Sequence, residues 1–274
     1  MSNLTTRILS SIAFVVLILG PLFITDKRFA FVVYAILGAL TLKEVVQMLK
    51  KTGTAISIVS SGLIYGLLVA VVYNLYFLTS TLSVLVLGLS IVVLAISVLE
   101  LFESNEQPFE RISTSIWMPV YVASSFLGIT YFLIYRSDLP SVELTISLFI
   151  LIWINDSAAY LVGRKIGKTK LFERLSPNKT WEGSISGLIA SILCAVGLSF
   201  YAGMPSWPVM IGFGFTCVVF GSLGDLLESR IKRAAKVKDS GKFLPGHGGF
   251  FDRFDAMMLA VPATILYFEI VFPK

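Results

Sequence analysis

Between residues 229 and 254 the chain gathers Lys232, Arg233, Lys236, Lys238 and Lys242 with the run Pro245-Gly246-His247-Gly248-Gly249, and Asp252-Arg253-Phe254-Asp255 closes the segment. Glycines let backbone N–H groups come close to a phosphate. Lysine and arginine neutralise that phosphate. Carboxylates hold Mg²⁺, and the metal bridges to phosphate oxygens. The combination describes a nucleotide–Mg²⁺ site better than a plain patch for lipid head groups. A second reading stays open. A basic loop is what the cytoplasmic side of any membrane protein carries, and Asp252 and Asp255 would then cap the following helix at its positive end.

Three further groups add to this set. Asp225 and Glu228 are spaced i, i+3 and so share one helix face; the alternative is an interfacial polar collar. Asn155-Asp156 lies inside an apolar run, about 12 Å of helix from the run's end at 1.5 Å per residue. A carboxylate there is costly unless paired or hydrated, which points to function over helix packing. The polar stretch 163–183 holds Gly163-Arg164, Gly167, Ser176-Pro177, Lys179-Thr180 and Glu182-Gly183. Lys179-Thr180 resembles the end of a phosphate-binding P-loop, but the glycine spacing before it is wrong and no strand is expected ahead of it. His247 is the one histidine of the chain. In a glycine-rich turn it reads as a structural or phosphate-contacting group. At a phosphate site of this kind, positioning and charge neutralisation should dominate over proton abstraction.

The elements that must position these residues are membrane helices. Of 274 residues, 56% are hydrophobic and 14% charged, and mean hydropathy is +0.85. A soluble domain carries nearly twice that charge share, so a water-soluble body is excluded. Cys194 and Cys217 sit in apolar runs and act as small hydrophobes, with no disulfide or zinc spacing. Hydropathy predicts an all-α, polytopic transmembrane bundle of about nine spans, roughly at 8–25, 28–49, 55–78, 82–102, 112–135, 142–163, 184–202, 207–228 and 255–272. The first is expected to be a retained helix, not a cleaved signal peptide, because a small-residue cleavage site is lacking and Gly20-Pro21 sits within it.

Lysine and arginine set the expected orientation. With the N-terminus and the loops after the even-numbered spans on one side, 18 of the 22 basic residues fall there, against Lys27, Arg28, Arg136 and Lys274 on the other. The N-terminus is thus expected in the cytoplasm and the C-terminus outside, in a multi-pass protein of the inner (plasma) membrane. Residues 1–140 read as a transmembrane scaffold. Residues 141–274 read as the catalytic region, with cytoplasmic loops 164–183 and 229–254.

The C-terminal segment resembles the phosphatidate cytidylyltransferase family, the CDP-diacylglycerol synthases. The family signature runs Ser229, Ile231, Lys232-Arg233, four residues, Lys238-Asp239, Gly241, Leu244-Pro245, His247-Gly248-Gly249-Phe250, Asp252-Arg253-Phe254-Asp255 without a break. Asn155-Asp156 to Gly163-Arg164, Ser176 to Gly183, and Gly224-Asp225 to Glu228-Ser229 are similar to the family as well. The resemblance covers about residues 150–255, and the N-terminal half matches as a hydrophobic bundle.

The resemblance implies transfer of a cytidylyl group from CTP to phosphatidate with Mg²⁺, giving CDP-diacylglycerol and pyrophosphate for phospholipid synthesis. It implies Asp225, Asp252, Lys232 and Arg233 as catalytic residues, and Asp225, Asp252 and Asp255 as metal ligands. Substrates would be held by Asp156, Arg164, Ser176, Lys179, Thr180, Glu182, Ser229, Lys238, Asp239, His247, Gly248, Gly249 and Arg253. Its partners are CTP, phosphatidate and the lipid bilayer, with no nucleic acid; a homodimer is left open.

Two rival readings involve different chemistry. A CTP-dependent polyprenol kinase would transfer the γ-phosphoryl group to an alcohol, and the complete 229–255 signature argues against it. A transporter would use Asp156 on an ion path, but the chain shows no inverted repeat and its polar residues crowd one membrane face.

Overall fold

The computed structural model describes residues 12–77, positions 91, 94 and 98, and residues 107–136, 138–241 and 248–273. Among these residues seven helices are long and apolar enough to cross a membrane. The protein is therefore a helical, multi-pass membrane protein with almost no strand among the described residues. The helices are α2 (Lys27–Lys51), α3 (Ile58–Phe77), α4 (Pro108–Ile134), α5 (Ser141–Ile166), α6 (Trp181–Leu198), α7 (Trp207–Ala234), and the stretch Phe251–Val271, built from the short α8 (Phe251–Phe254) and α9 (Met257–Val271). A shorter apolar helix, α1 (Ile12–Phe23), precedes them and ends in a 3₁₀ turn at Gly20–Phe23. The count of seven falls below the expected nine for two reasons. The expected first span is represented by this shorter helix, and most of the expected fourth, 82–102, lies outside the described residues.

The chain divides into two compact units. One comprises Met1–Thr130 with Ala235–Arg253, and the other Tyr131–Ala234 with Phe254–Lys274. In the first unit α2 starts at Asp26, whose side chain accepts from the Arg28 amide at 2.9 Å, and ends beyond Lys50 and Lys51, cations placed at the negative helix terminus. Without water in the hydrocarbon, buried hydroxyls must find protein acceptors. Tyr34 donates to the Ile18 carbonyl at 2.6 Å and Tyr65 to the Ala35 carbonyl at 2.8 Å. Gly38 makes room on α2 for the Tyr65 ring and the Phe126 side chain, which a Cβ would meet.

The second unit is held by a ladder of small residues. Gly183, Gly187, Ser191 and Ala195 recur every fourth position along α6 and all are buried. That spacing puts them on one face, so the backbone of α5 can approach closely. A Cβ on Gly183 would lie 2.7 Å from the Ala159 carbonyl oxygen, and one on Gly187 would lie 2.8 Å from that of Asn155. Ser191 Oγ donates to the Leu151 carbonyl at 3.0 Å. Arg136 is buried at the end of this unit. It forks onto Asp138 at 3.0 and 2.9 Å and reaches Glu269 at 2.7 Å.

The polar stretch before α6 is not a plain loop. Lys170–Phe172 (β1) and Ser176–Thr180 (β2) form an antiparallel ribbon, pairing Lys170 with Thr180 and Phe172 with Ser176. A strand therefore does precede Lys179-Thr180, contrary to expectation. Its short pairing escapes a period-2 reading because Pro177, Asn178 and Lys179 break any alternation. α7 also extends past the expected end at 228 to Ala234, which puts Lys232 and Arg233 in its last turn and not in a loop.

Candidate active site

Three carboxylates converge in the second unit. Asp225, Glu228 and Asp255 each bring an oxygen to a point where all three lie within 4.8 Å of one another. Helical geometry accounts for the first two, one turn apart on α7. Gly224 accounts for the third. A Cβ there would stand 2.6 Å from the Asp255 carbonyl oxygen and 3.0 Å from that of Ala256. Only a glycine lets the turn entering α9 lie against α7 and bring Asp255 beside Asp225. The Ala256 amide donates to Asp255 Oδ1 at 2.7 Å and fixes that side chain.

Two lysines face the acids. Lys179, near the end of β2, donates to Asp225. Lys232 pairs with Glu228 at 2.6 Å, and Glu228 is 1% exposed. A buried carboxylate needs such a partner. Ser229 Oγ stands 3.5 Å from Asp225 Oδ1. Oxygen donors alone, converging from two elements, suit a hard divalent cation such as Mg²⁺. A cavity of about 240 Å³ opens beside them, lined by Asn155, Asp156, Lys179, Thr180, Ser222 and Asp225 among others. Asn155 Nδ2 donates to Asp156 Oδ1 at 3.2 Å.

The ribbon is locked to α6. Thr180 caps the helix by accepting from the Gly183 amide at 3.2 Å. Glu182 accepts from the Thr169 amide at 3.1 and 3.2 Å. These contacts hold Lys179 in place, and Ser176 stands opposite Phe172 at the other end of the ribbon. Arg164 donates to the Tyr160 hydroxyl at 3.2 Å, and Arg233 lies on the last turn of α7.

The remaining signature residues belong to the first unit. The Asp252 carboxylate accepts from the Ser240 amide at 3.0 and 3.2 Å and from the Gly249 amide at 2.8 Å. Gly248 adopts φ 81°, a left-handed conformation that favours glycine. Arg253 follows on α8. Lys238 and Asp239 line an open groove of about 730 Å³ together with Lys43, Glu44, Lys51 and Phe250. Expected residue His247, with Lys242, Pro245 and Gly246, lies outside the described residues.

The sequence singles out Glu228 by its i, i+3 spacing to Asp225 without assigning it to the metal, and the structure sets it beside Asp225 and Asp255. Glu44 belongs to the stretch that reads as N-terminal scaffold, although a carboxylate in an apolar helix is itself a signal.

Comparison with known proteins gives the family. The cytidylyltransferase family matches residues 5–271. A protein of Staphylococcus aureus (strain COL) named phosphatidate cytidylyltransferase is 39% identical over 140 residues, covering 50% of this chain and 54% of that protein. One of the same name from Staphylococcus haemolyticus (strain JCSC1435) is 42% identical over 143 residues, covering 52% and 54%. The chain thus spans about half the length of the curated relatives it matches. A match across nearly all of the sequence, over a membrane bundle with converging acids and lysines, means that the chain belongs to the cytidylyltransferase family.

Proposed function

We propose that the protein transfers the cytidylyl group of CTP to phosphatidate, giving CDP-diacylglycerol and pyrophosphate. The observation that carries this reading is the cluster of Asp225, Glu228 and Asp255 faced by Lys179 and Lys232, in a chain of the cytidylyltransferase family. One substrate is a membrane lipid and the other a water-soluble nucleotide, so the reaction belongs at an interface. The cluster sits toward the polar ends of apolar helices, as that requires.

In this reading a phosphatidate oxygen attacks the α-phosphorus of CTP. A new P–O bond forms while the bond to the β-phosphate bridging oxygen breaks, and pyrophosphate leaves with the electron pair. Asp225 and Asp255, with Glu228 beside them, would hold Mg²⁺. The metal would supply charge neutralisation on the phosphate oxygens. Asp252 is assigned as a further ligand on the strength of the signature. Lys179 and Lys232 are positioned to exchange a carboxylate for a phosphate oxygen, since an ammonium binds either as a point charge. Arg233 and Lys238 add positive charge for the triphosphate. Asp156 and Thr180 line the cavity and would orient what enters it. The N-terminus is assigned to the cytoplasm and the C-terminus to the outside, which puts the basic residues on the CTP side.

The direct test is purified protein in detergent with radiolabelled CTP, phosphatidate and Mg²⁺. Labelled CDP-lipid with equimolar pyrophosphate is expected. CDP together with a phosphorylated lipid alcohol would mean γ-phosphoryl transfer instead.

A further inference from the structure

Glu44 lies in α2, within a helix of mean hydropathy 1.9 over its most apolar window. A carboxylate there needs strong compensation. It finds three donors, all of them 196 to 207 residues away in sequence. Ser240 Oγ donates at 2.5 Å, and the amides of Phe250 and Phe251 donate at 3.1 Å each. Asp252 binds the same two stretches through the amides of Ser240 and Gly249. Two carboxylates thus tie Ser240 to residues 249–251, two stretches within the signature segment.

Two signature glycines are explained by the same contact. Gly241 and Gly249 do not have positive φ, unlike Gly248, so neither is required by backbone conformation. A Cβ at either position would instead fall on the Glu44 carboxylate. Their smallness is the room that Glu44 occupies.

We propose that Glu44 is a positioning residue for cytidylyl transfer: it clamps Ser240 to Phe250 and Phe251 within the signature segment and so fixes Asp252 and Lys238 for the nucleotide. The role in turnover rests on the function proposed above, whereas the clamp itself does not. Glu44→Gln and Glu44→Ala should raise the KM for CTP tenfold or more and leave the KM for phosphatidate within about twofold. A purely structural loss would lower the amount of active enzyme and move neither KM. Gly249→Ala alone should lose activity tenfold or more. In the Glu44→Ala background, where space has opened, the same change should cost little further, the non-additivity expected of groups in contact. Glu44→Gln with an unchanged KM for CTP would overturn the proposal, as would an equal cost of Gly249→Ala in both backgrounds. Amide hydrogen exchange across residues 248–253 reads the clamp without turnover. Faster exchange at Phe250 and Phe251 in Glu44→Gln, alongside a wild type that makes no CDP-lipid, would mean that the reaction assignment failed and the clamp held. Unchanged exchange there would dispose of the clamp.

Discussion

Asp225 is the residue on which the site turns, because it touches Lys179, neighbours Ser229 and stands within the triad of acids. Asp→Asn keeps the shape and removes the charge a cation needs. Asp225→Asn and Asp252→Asn should each nearly abolish turnover while extracting and folding normally; near-wild-type activity across a Mg²⁺ titration would remove that residue from the ligand set. His247→Gln should cut the rate by less than about tenfold and leave the pH profile in place, since loss of a general base typically costs about 10²–10⁴-fold and erases a pH limb. Asp225 and Glu228 were legible in the sequence because a one-turn spacing fixes a shared face whatever the tertiary fold. Glu44 was not. Its partners are some 200 residues distant, and a single acid in an apolar run carries no local pattern that names them.

The elements contribute close approach more than chemistry. Gly224 lets the Asp255 backbone lie against α7. Gly224→Ala should therefore displace Asp255 and lower turnover tenfold or more, measured as initial rate per folded protein. On the packing face of α6, Gly187→Ala should destabilise by about 1–3 kcal/mol through overpacking, read as a lower unfolding temperature in detergent. An unchanged unfolding temperature would mean that the α5–α6 contact is looser than the backbone distances indicate. Hydropathy placed most of these helices because twenty apolar residues have one stable form in lipid. The ribbon at 170–180 carries no strand signal in the sequence because its strands are three and five residues long and the longer, Ser176–Thr180, is polar and contains Pro177. Its pairing is stabilised by Glu182 and Thr180 at the start of α6, contacts with no strand-like signature. Hydropathy ends α7 about a turn and a half short because Arg230, Lys232 and Arg233 depress hydropathy while leaving helix propensity intact.

At the scale of the whole molecule, membrane character is fixed by composition, and the distribution of lysine and arginine is the ground for the orientation proposed above. Single cysteines placed at 168 and at 236, in a background lacking Cys194 and Cys217, should react only with reagent supplied from the cytoplasmic side. Labelling from outside in sealed cells would reverse the orientation and place the basic residues away from CTP. The joining of a bilayer-resident lipid to a soluble nucleotide is the central claim, and product identity tests it most directly. With purified protein, phosphatidate, Mg²⁺ and CTP labelled separately in the α- and γ-phosphates, the α-label should appear in a CDP-lipid and the γ-label in pyrophosphate, in equal amounts. Transfer of the γ-label to lipid, or no labelled lipid at all from active-site-intact protein, would contradict the account.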